Sequence, residues 1–288
     1  MKILVLGATG MAGHMIALSF QENNHEVTTL SRKPFKYGDH ILGDVTDFNF
    51  LKRIITTGKY DAVINAVGIL NSQAELNPAK AVLLNSYLPH YLSDLTKKRN
   101  TRIIQMSTDC VFSGQTGGYT EKSLRDGKSF YDRSKALGEL DNDKDLTFRN
   151  SIIGPDLNRD GIGLFNWFMQ QTDVTLGYTK AIWTGVTTLT LAQAMEQALV
   201  ENLTGLYHLV NGETISKYKL LHLFNKYLKA KPIPILPDDG LTLDKSLINH
   251  RQDFSFVVPS YEKMILQLQE WLGHHQSLYP HYFQENSD

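Results

Sequence analysis

Residues 2–14 read KILVLGATGMAGH, and the reading of this stretch decides the fold. Lys2–Leu6 is a short apolar run of the kind found in strands buried on both faces of a parallel sheet. Gly7, Gly10 and Gly13 follow as G-x-x-G-x-x-G, and residues 11–21 continue as a helical stretch. Strand, glycine turn and helix in direct succession are the parts of a dinucleotide site. Glycine lets the backbone turn tightly and approach a pyrophosphate, while the helix N-terminus offers free N–H groups and a favourable dipole. The glycine spacing alone is a weak signal and also serves a bare strand-to-helix turn. Its place directly after the first strand gives it weight. Gly7, Thr9, Gly10, Met11 and Gly13 are the cofactor contacts expected here.

Outward from this stretch, strands and helices alternate. Residues 25–30 form a second strand, 40–42 a weak third, 47–55 a helix and 62–66 another apolar strand. A long helical pattern over 78–97 precedes a strand at 102–106, a helix over 130–140 and a strand at 146–149. The rhythm predicts an α/β fold, a doubly wound parallel sheet. After Arg149 it loosens. A Gly/Asp/Asn-rich loop at 154–163 leads to an amphipathic run at 164–171, helices are expected over 188–201, 216–228 and 261–272, and a strand at 206–210. Residues 231–237 are a proline-rich break. The expected organisation is a Rossmann domain of residues 1–152 plus about 180–210, and a smaller C-terminal substrate lobe of about 153–179 plus 211–288, with substrate in the cleft between them.

Composition excludes several other classes. The chain has 288 residues, 42% hydrophobic and 20% charged, which is ordinary for a globular protein. A net charge of −1 without a long basic run argues against nucleic acid or an anionic membrane as partner. The single cysteine, Cys110, can form no internal disulfide and no zinc cluster, and no metal site is expected. No apolar stretch approaches membrane-spanning length, and the N-terminus runs straight into a strand, so a soluble cytoplasmic protein is expected.

The end of the second strand bears on the cofactor. An NAD-selective site places an acid there for the ribose hydroxyls. Here Ser31-Arg32-Lys33 stands instead, which suits a 2′-phosphate and so NADP(H), although two solvated loop cations fit the same residues. Asp44-Val45 sits where an acid can meet the adenine amino group, or equally where a loop aspartate caps the next helix. Tyr131 and Lys135, spaced Y-D-R-S-K, share one face if their segment is helical. On that face an ammonium lowers the pKa of the phenol and makes it a proton donor near neutral pH. With 13 tyrosines in the chain the spacing alone means little; joined to the glycine turn it points to hydride chemistry on a carbonyl.

The glycine turn, N-A-V-G at 65–68, S-T-D-C-V-F at 107–112 and Y-D-R-S-K at 131–135 together resemble the extended short-chain dehydrogenase/reductase family over nearly the whole chain. Within it, these motifs and the R-x-S strand at 149–151 are most similar to the dTDP-4-dehydrorhamnose reductases and related sugar-nucleotide 4-ketoreductases. The resemblance implies that Tyr131 protonates a carbonyl oxygen while NADPH delivers hydride, and that Lys135 tunes Tyr131 and bonds the nicotinamide ribose. It gives Thr108 a hydrogen bond to the substrate oxygen, although a threonine there can also serve only the backbone. Asn65, Ala66, Val67 and Gly68 are implied to run beneath the cofactor ribose, and Asn85 to tie the active-site strands together. Ser107, Asp109 and Asn150 are implied substrate contacts, with a nucleotide sugar as substrate and a homodimer as an open possibility.

Departures narrow the expectation. Dehydratases of the superfamily carry Asp-Glu after the threonine, whereas this chain has Asp109-Cys110, so the residue that drives water elimination is missing from its place. The tryptophan that usually follows R-x-S is Ile152 here, which leaves the sugar unnamed. Trp167 and Trp183 are alternative aromatic faces, or simply packing. For the diphosphate, Arg251 in I-N-H-R-Q-D-F is the preferred cation and Lys180 the weaker one; Arg251 paired with Asp253 on the surface is the competing reading. A 4-ketoreductase leads, ahead of an NAD-holding epimerase and a cofactor-binding regulatory subunit without turnover.

Overall fold

The computed structural model describes residues 1–283. Its first half is built of β1 (Lys2–Leu6), α1 (Met11–Glu22), β2 (Glu26–Ser31), β3 (Asp39–Leu42), α2 (Phe48–Gly58), β4 (Ala62–Asn65), α3 (Asn71–Leu76), α4 (Pro78–Ala81), α5 (Leu88–Thr96), β5 (Arg102–Ser107), α6 (Phe130–Leu137) and β6 (Leu146–Arg149). There follow β7 (Ser151–Ile153), α7 (Leu164–Met169), β8 (Thr175–Tyr178), β9 (Ala181–Trp183), β10 (Gly185–Thr187), α8 (Thr188–Val200) and β11 (Gly205–His208). The last part holds β12 (Ile215–Ser216), α9 (Lys217–Tyr227), β13 (Ile235–Asp238), β14 (Leu243–Asp244), α10 (Tyr261–His274) and α11 (Pro280–Phe283). Among the described residues no helix is long and apolar enough to cross a membrane.

Seven strands form one sheet in the order β11-β6-β5-β4-β1-β2-β3, and every pairing in it is parallel. This is the doubly wound α/β fold that the alternating pattern predicts. Both faces are covered, which is why β1 is apolar from Ile3 to Leu6. Ile3 and Val5 pack with α1, α8 and α10, and Leu4 and Leu6 pack with α2 and α5 on the other side. Chain order reverses on either side of β1, with β2 and β4 as its neighbours. Such a switch point opens a crevice at the carboxyl ends of the strands, and the glycine turn lies there.

Two segments differ from the sequence reading. The helix expected over 78–97 is instead α4, a π-helical turn at Val82–Tyr87, and α5. Pro89 has no N–H to give the Asn85 carbonyl four residues back, and its ring crowds that carbonyl, so the turn widens. Gly138, at the end of α6, fills the space gained: a side chain there would strike the Asn85 carbonyl. The proline-rich break contains β13, paired in parallel with β8. This is an edge strand whose other side pairs with nothing in the sheet, so Pro237 is tolerated. The remaining small sheets are β7 with β10, and β9 flanked by β12 and β14.

Candidate active site

At the carboxyl ends of β1, β2 and β4 lies a cavity of about 720 Å³. Of the expected cofactor contacts, Gly7, Thr9, Gly10, Ser31, Arg32, Asp44, Val45, Ala66, Val67 and Gly68 line it. The glycines divide the work. Gly7 has φ +82°, a left-handed conformation that side chains resist, and a Cβ on it would sit 3.1 Å from the Ala66 carbonyl. Gly13 lies outside the cavity lining and serves packing, because a Cβ there would collide with the Gly7 carbonyl. Gly10 meets no protein atom closer than 3.4 Å from a hypothetical Cβ. Its bareness keeps open the cradle at the start of α1, which fits a pyrophosphate.

The adenosine end is basic. Arg32 and Lys33 line the cavity and are joined by Lys80 of α4, which no motif had marked. Ser31 faces the cavity, but its hydroxyl donates to the Lys33 carbonyl at 2.7 Å and so shapes the turn. Asp44 accepts from the Thr46 amide and hydroxyl, both at 2.9 Å. Burial acts to raise its pKa, but the Thr46 bonds, with Arg32 and Lys80, hold it below the ordinary value. Asn65 does not reach the cavity. Its amide donates to Gln105 at 2.8 Å and its oxygen accepts from the Val67 amide, so it ties β4 to β5. Met11 also lies outside the lining, with its sulfur against Gly163. Asp156 and Asn158 close the cavity from the loop after β7, a long-range contribution without a local signature.

α6 carries Tyr131 and Lys135 one turn apart, and Ser129 and Asp132 close its N-terminus as a capping box. Both are buried, at 8% and 7% exposure. Asn85, in the widened turn, accepts from the Ile69 amide and donates to the Ile69 carbonyl and the Ser134 hydroxyl. It thereby fastens α6 to the segment that lines the cavity, and not strand to strand as expected of it. The Tyr131 phenol is pushed well above its ordinary range, first by burial and then by Cys110, with the Thr108 hydroxyl acting against them. The spacing predicts that the ammonium of Lys135 pulls this phenol down; burial raises it instead. Lys135 donates to the Met106 carbonyl at 2.6 Å, and burial lowers its pKa to about 8, opposed by Glu139.

Thr108 caps the short turn 109–111, accepting from the Cys110 amide and donating to Asp109 at 3.1 Å. Asp109 is buried and also accepts from Ser151 at 2.9 Å. Burial raises its pKa, while Ser151, Lys245, Thr108 and Lys217 work the other way. The thiol of Cys110 is pushed up to about 12 by burial and by Asp109, so it is no nucleophile.

Other expected substrate contacts turn elsewhere. The Ser107 hydroxyl donates to Glu139 at 2.6 Å. Asn150 is buried and bonds the Ser151 carbonyl. Arg251 sits at the opposite end of the sheet, at the start of β11, where it donates to the Thr204 and Leu206 carbonyls and to both oxygens of Asp253. Lys180 is exposed and paired with Asp239. Trp183 is core against Tyr261, and Trp167 is exposed on α7. The cations whose charge acts on Asp109 are Lys245 and Lys217, which directly follow β14 and β12. Ser216 and Asp244 both pair with Ile182 of β9, so the two lysines flank that strand. The stem of Lys245 lies on Gly114.

A charge network absent from the sequence reading joins the strand ends. Arg149, 1% exposed, grips Glu139 through Nε and Nη2 at 2.7 and 2.6 Å, and its Nη1 donates to His208 Nε2 at 2.8 Å. Burial and Arg149 lower the His208 pKa to about 4, so the ring is neutral and its Nδ1 donates to the Ile248 carbonyl. Ser107, Arg149 and His208 end β5, β6 and β11.

A profile of the RmlD substrate-binding domain family matches residues 1–151, the segment that holds the glycine turn, Thr108, Tyr131 and Lys135. The chain belongs to the RmlD substrate-binding domain family. This RmlD-family chain is 30% identical over 141 residues to a dTDP-4-dehydrorhamnose reductase of Aggregatibacter actinomycetemcomitans, a match covering 48% of this chain and 45% of that protein. The matched part is therefore about half the length of that relative. A dTDP-4-keto-6-deoxy-D-glucose reductase of Streptomyces niveus is 24% identical over 245 residues, 81% of each chain. Among solved structures, the dTDP-4-dehydrorhamnose reductase of Bacillus anthracis in complex with NADP superposes with a TM-score of 0.78 at 18% identity, covering 93% of this chain and 98% of that one. At that identity the likeness carries the fold.

Proposed function

We propose that the protein is an NADPH-dependent oxidoreductase that reduces the 4-keto group of a nucleotide-linked 4-keto-6-deoxy sugar, for a surface polysaccharide precursor. The observation that carries this reading is the placement of Tyr131 and Lys135 on one face of α6 beside Thr108, with Asn85 fastening that helix to the wall of the glycine cavity. The relatives named as reductases support it. Residues 1–152 plus 180–210 are read as the cofactor part and the remainder as the substrate lobe. Gly7, Thr9, Gly10 and the Met11 amide would hold the pyrophosphate, and Arg32 with Lys33 and Lys80 the 2′-phosphate. The chemistry that a nicotinamide supplies when bound there is hydride to the carbonyl carbon.

The chain's own residues manage the proton. Tyr131, protonated at neutral pH by its burial, gives its O–H proton to the carbonyl oxygen, which becomes the alcohol. Lys135, titrating near 8, lies one turn away to return a proton to the phenolate. The Thr108 hydroxyl orients the oxygen. Lys217 and Lys245 take the substrate diphosphate in place of Arg251, because their charge acts on Asp109 and they form no ion pair among the described residues. Three cations at the adenosine end disfavour the NAD-holding epimerase.

NADPH oxidation against a panel of dTDP- and UDP-linked 4-keto-6-deoxy sugars, with product identification, tests the reading. At least one should be reduced at C4. Tight NADPH binding with no oxidation across the panel would sink it in favour of a cofactor-binding protein without turnover.

A further inference from the structure

The C-terminal segment touches the cavity from behind at two places. His14, fully buried in the first turn of α1, sets Nδ1 2.9 Å from the Gly10 carbonyl and Nε2 2.8 Å from the Tyr279 hydroxyl. Burial lowers its pKa to about 4, so the ring is neutral near pH 7. A carbonyl can only accept, so the single ring proton sits on Nδ1 and Nε2 accepts from Tyr279. The Tyr279 oxygen accepts in turn from the Trp271 indole N–H at 3.2 Å. A one-way relay thus runs from Trp271 through Tyr279 and His14 to Gly10.

The Gly10 carbonyl also takes the His14 amide, at 3.1 Å. Two donors from one residue pin it inward, and peptide planarity then turns the Met11 N–H the opposite way, outward from the turn. In the loop after β7, the Asp156 amide donates to the Tyr282 hydroxyl at 3.0 Å, and that hydroxyl donates to Asn166 at 2.6 Å. Asn166 holds the carbonyls of Arg159 and Gly161, and Asp156 and Asn158 line the cavity.

We propose that Tyr279 and Tyr282 are positioning residues for the dinucleotide, the C-terminal segment acting as a brace that sets both the Gly10–Met11 peptide and the 154–163 loop where they border the cavity. This rests on the reading that the cavity takes a nicotinamide dinucleotide. Tyr279→Phe removes one oxygen and leaves Nε2 of His14 without a donor. In the cofactor-free protein, amide exchange at residues 10–14 should quicken about tenfold, and the Kd for NADPH should rise about tenfold, the worth of one buried hydrogen bond. The KM for the sugar nucleotide and kcat at saturating NADPH should not change.

Tyr282→Phe should move the exchange effect to residues 156–161 and also weaken NADPH, which carries the test if Tyr279→Phe does not fold. Tyr261→Phe removes a hydroxyl that bonds the Glu213 carbonyl, and neither residue lines the cavity; it should lower Tm and leave NADPH affinity unchanged. Folded Tyr279→Phe and Tyr282→Phe proteins with NADPH affinity within twofold of the unsubstituted protein and unaltered exchange overturn the brace. So does an equal loss of affinity in Tyr261→Phe. If the unsubstituted protein binds neither NADPH nor NADH, the dinucleotide reading fails by itself, and the exchange measurement still decides whether the brace exists.

Discussion

Lys135 and Arg149 are both cations buried to more than nine-tenths, and Glu139 acts on both, yet they are held in different ways. Arg149 has a bidentate carboxylate, a neutral histidine and the Phe112 ring 5.0 Å beneath its guanidinium. Its charge is matched, and the Glu139 carboxyl lies below its ordinary range, with burial opposing and Arg149 leading the groups that lower it. Lys135 has one carbonyl, and its pKa falls from 10.5 to about 8, a burial cost of roughly 3 kcal/mol for the charged form. The balanced pair fastens the ends of β5, β6 and β11. The unbalanced one leaves an ammonium whose proton is loosely held near neutral pH, which suits proton transfer.

Substitutions can break or sharpen this contrast. The largest effect belongs to Tyr131→Phe, which should cut reduction of a keto sugar nucleotide by about 10²–10⁴-fold while NADPH titration stays normal. A near-normal rate would remove Tyr131 from the chemistry. Arg149→Met takes the bidentate partner from the buried Glu139 carboxylate and leaves it Arg125 and Ser107, and urea unfolding should register a loss of up to about 3–5 kcal/mol; a loss below about 1 kcal/mol means that the network is not structural.

His208 belongs to the same network and supplies a pH signature. Its folded pKa of about 4 lies below the ordinary 6.5 of a histidine, so in that window the unfolded chain binds the extra proton. Stability should therefore fall as pH drops from about 6.5 toward about 4, by roughly 2–3 kcal/mol from this group. His14 adds in the same direction. A Tm that is flat across this range contradicts both assignments.

Lys135→Met should do the reverse of Arg149→Met in stability, raising it by about 1–2 kcal/mol by relieving a buried charge, and still abolish turnover. Parallel destabilisation by both variants would erase the contrast. The smallest effect is that of Arg32→Ala, about tenfold in the ratio of kcat/KM for NADPH over NADH, or about 1.4 kcal/mol.

How much could be read from residues alone depended on the range of the interaction. The strand, turn and helix over residues 2–22 were legible, because the apolar run, the φ demanded at Gly7 and the packing demanded at Gly13 are all local. The same is true of Tyr131 and Lys135, since helical spacing sets their common face. The widened turn at 82–87 was not read, although Pro89 and Gly138 both signal it: one breaks a bond within the helix, and the other matters only once α6 docks there. Asn65 and Ser107 end β4 and β5 at the carboxyl side of the sheet. Their side chains turn to Gln105 and Glu139, partners some 40 and 32 residues away. Arg251 reads as an isolated cation in a polar break, and chain position does not tell which end of β11 such a break meets.

By itself the sequence determined the alternation of strands and helices, the glycine turn at their start and the residue types that carry a proton. These follow from periodicity, backbone sterics and intrinsic acidity, which act over a few residues. The tertiary structure alone decided which cations act on Asp109, which charges are balanced and which proton is loosely held. Burial and long-range pairing set those properties, and neither exists until the sheet closes and the C-terminal segment packs behind the turn at Gly10.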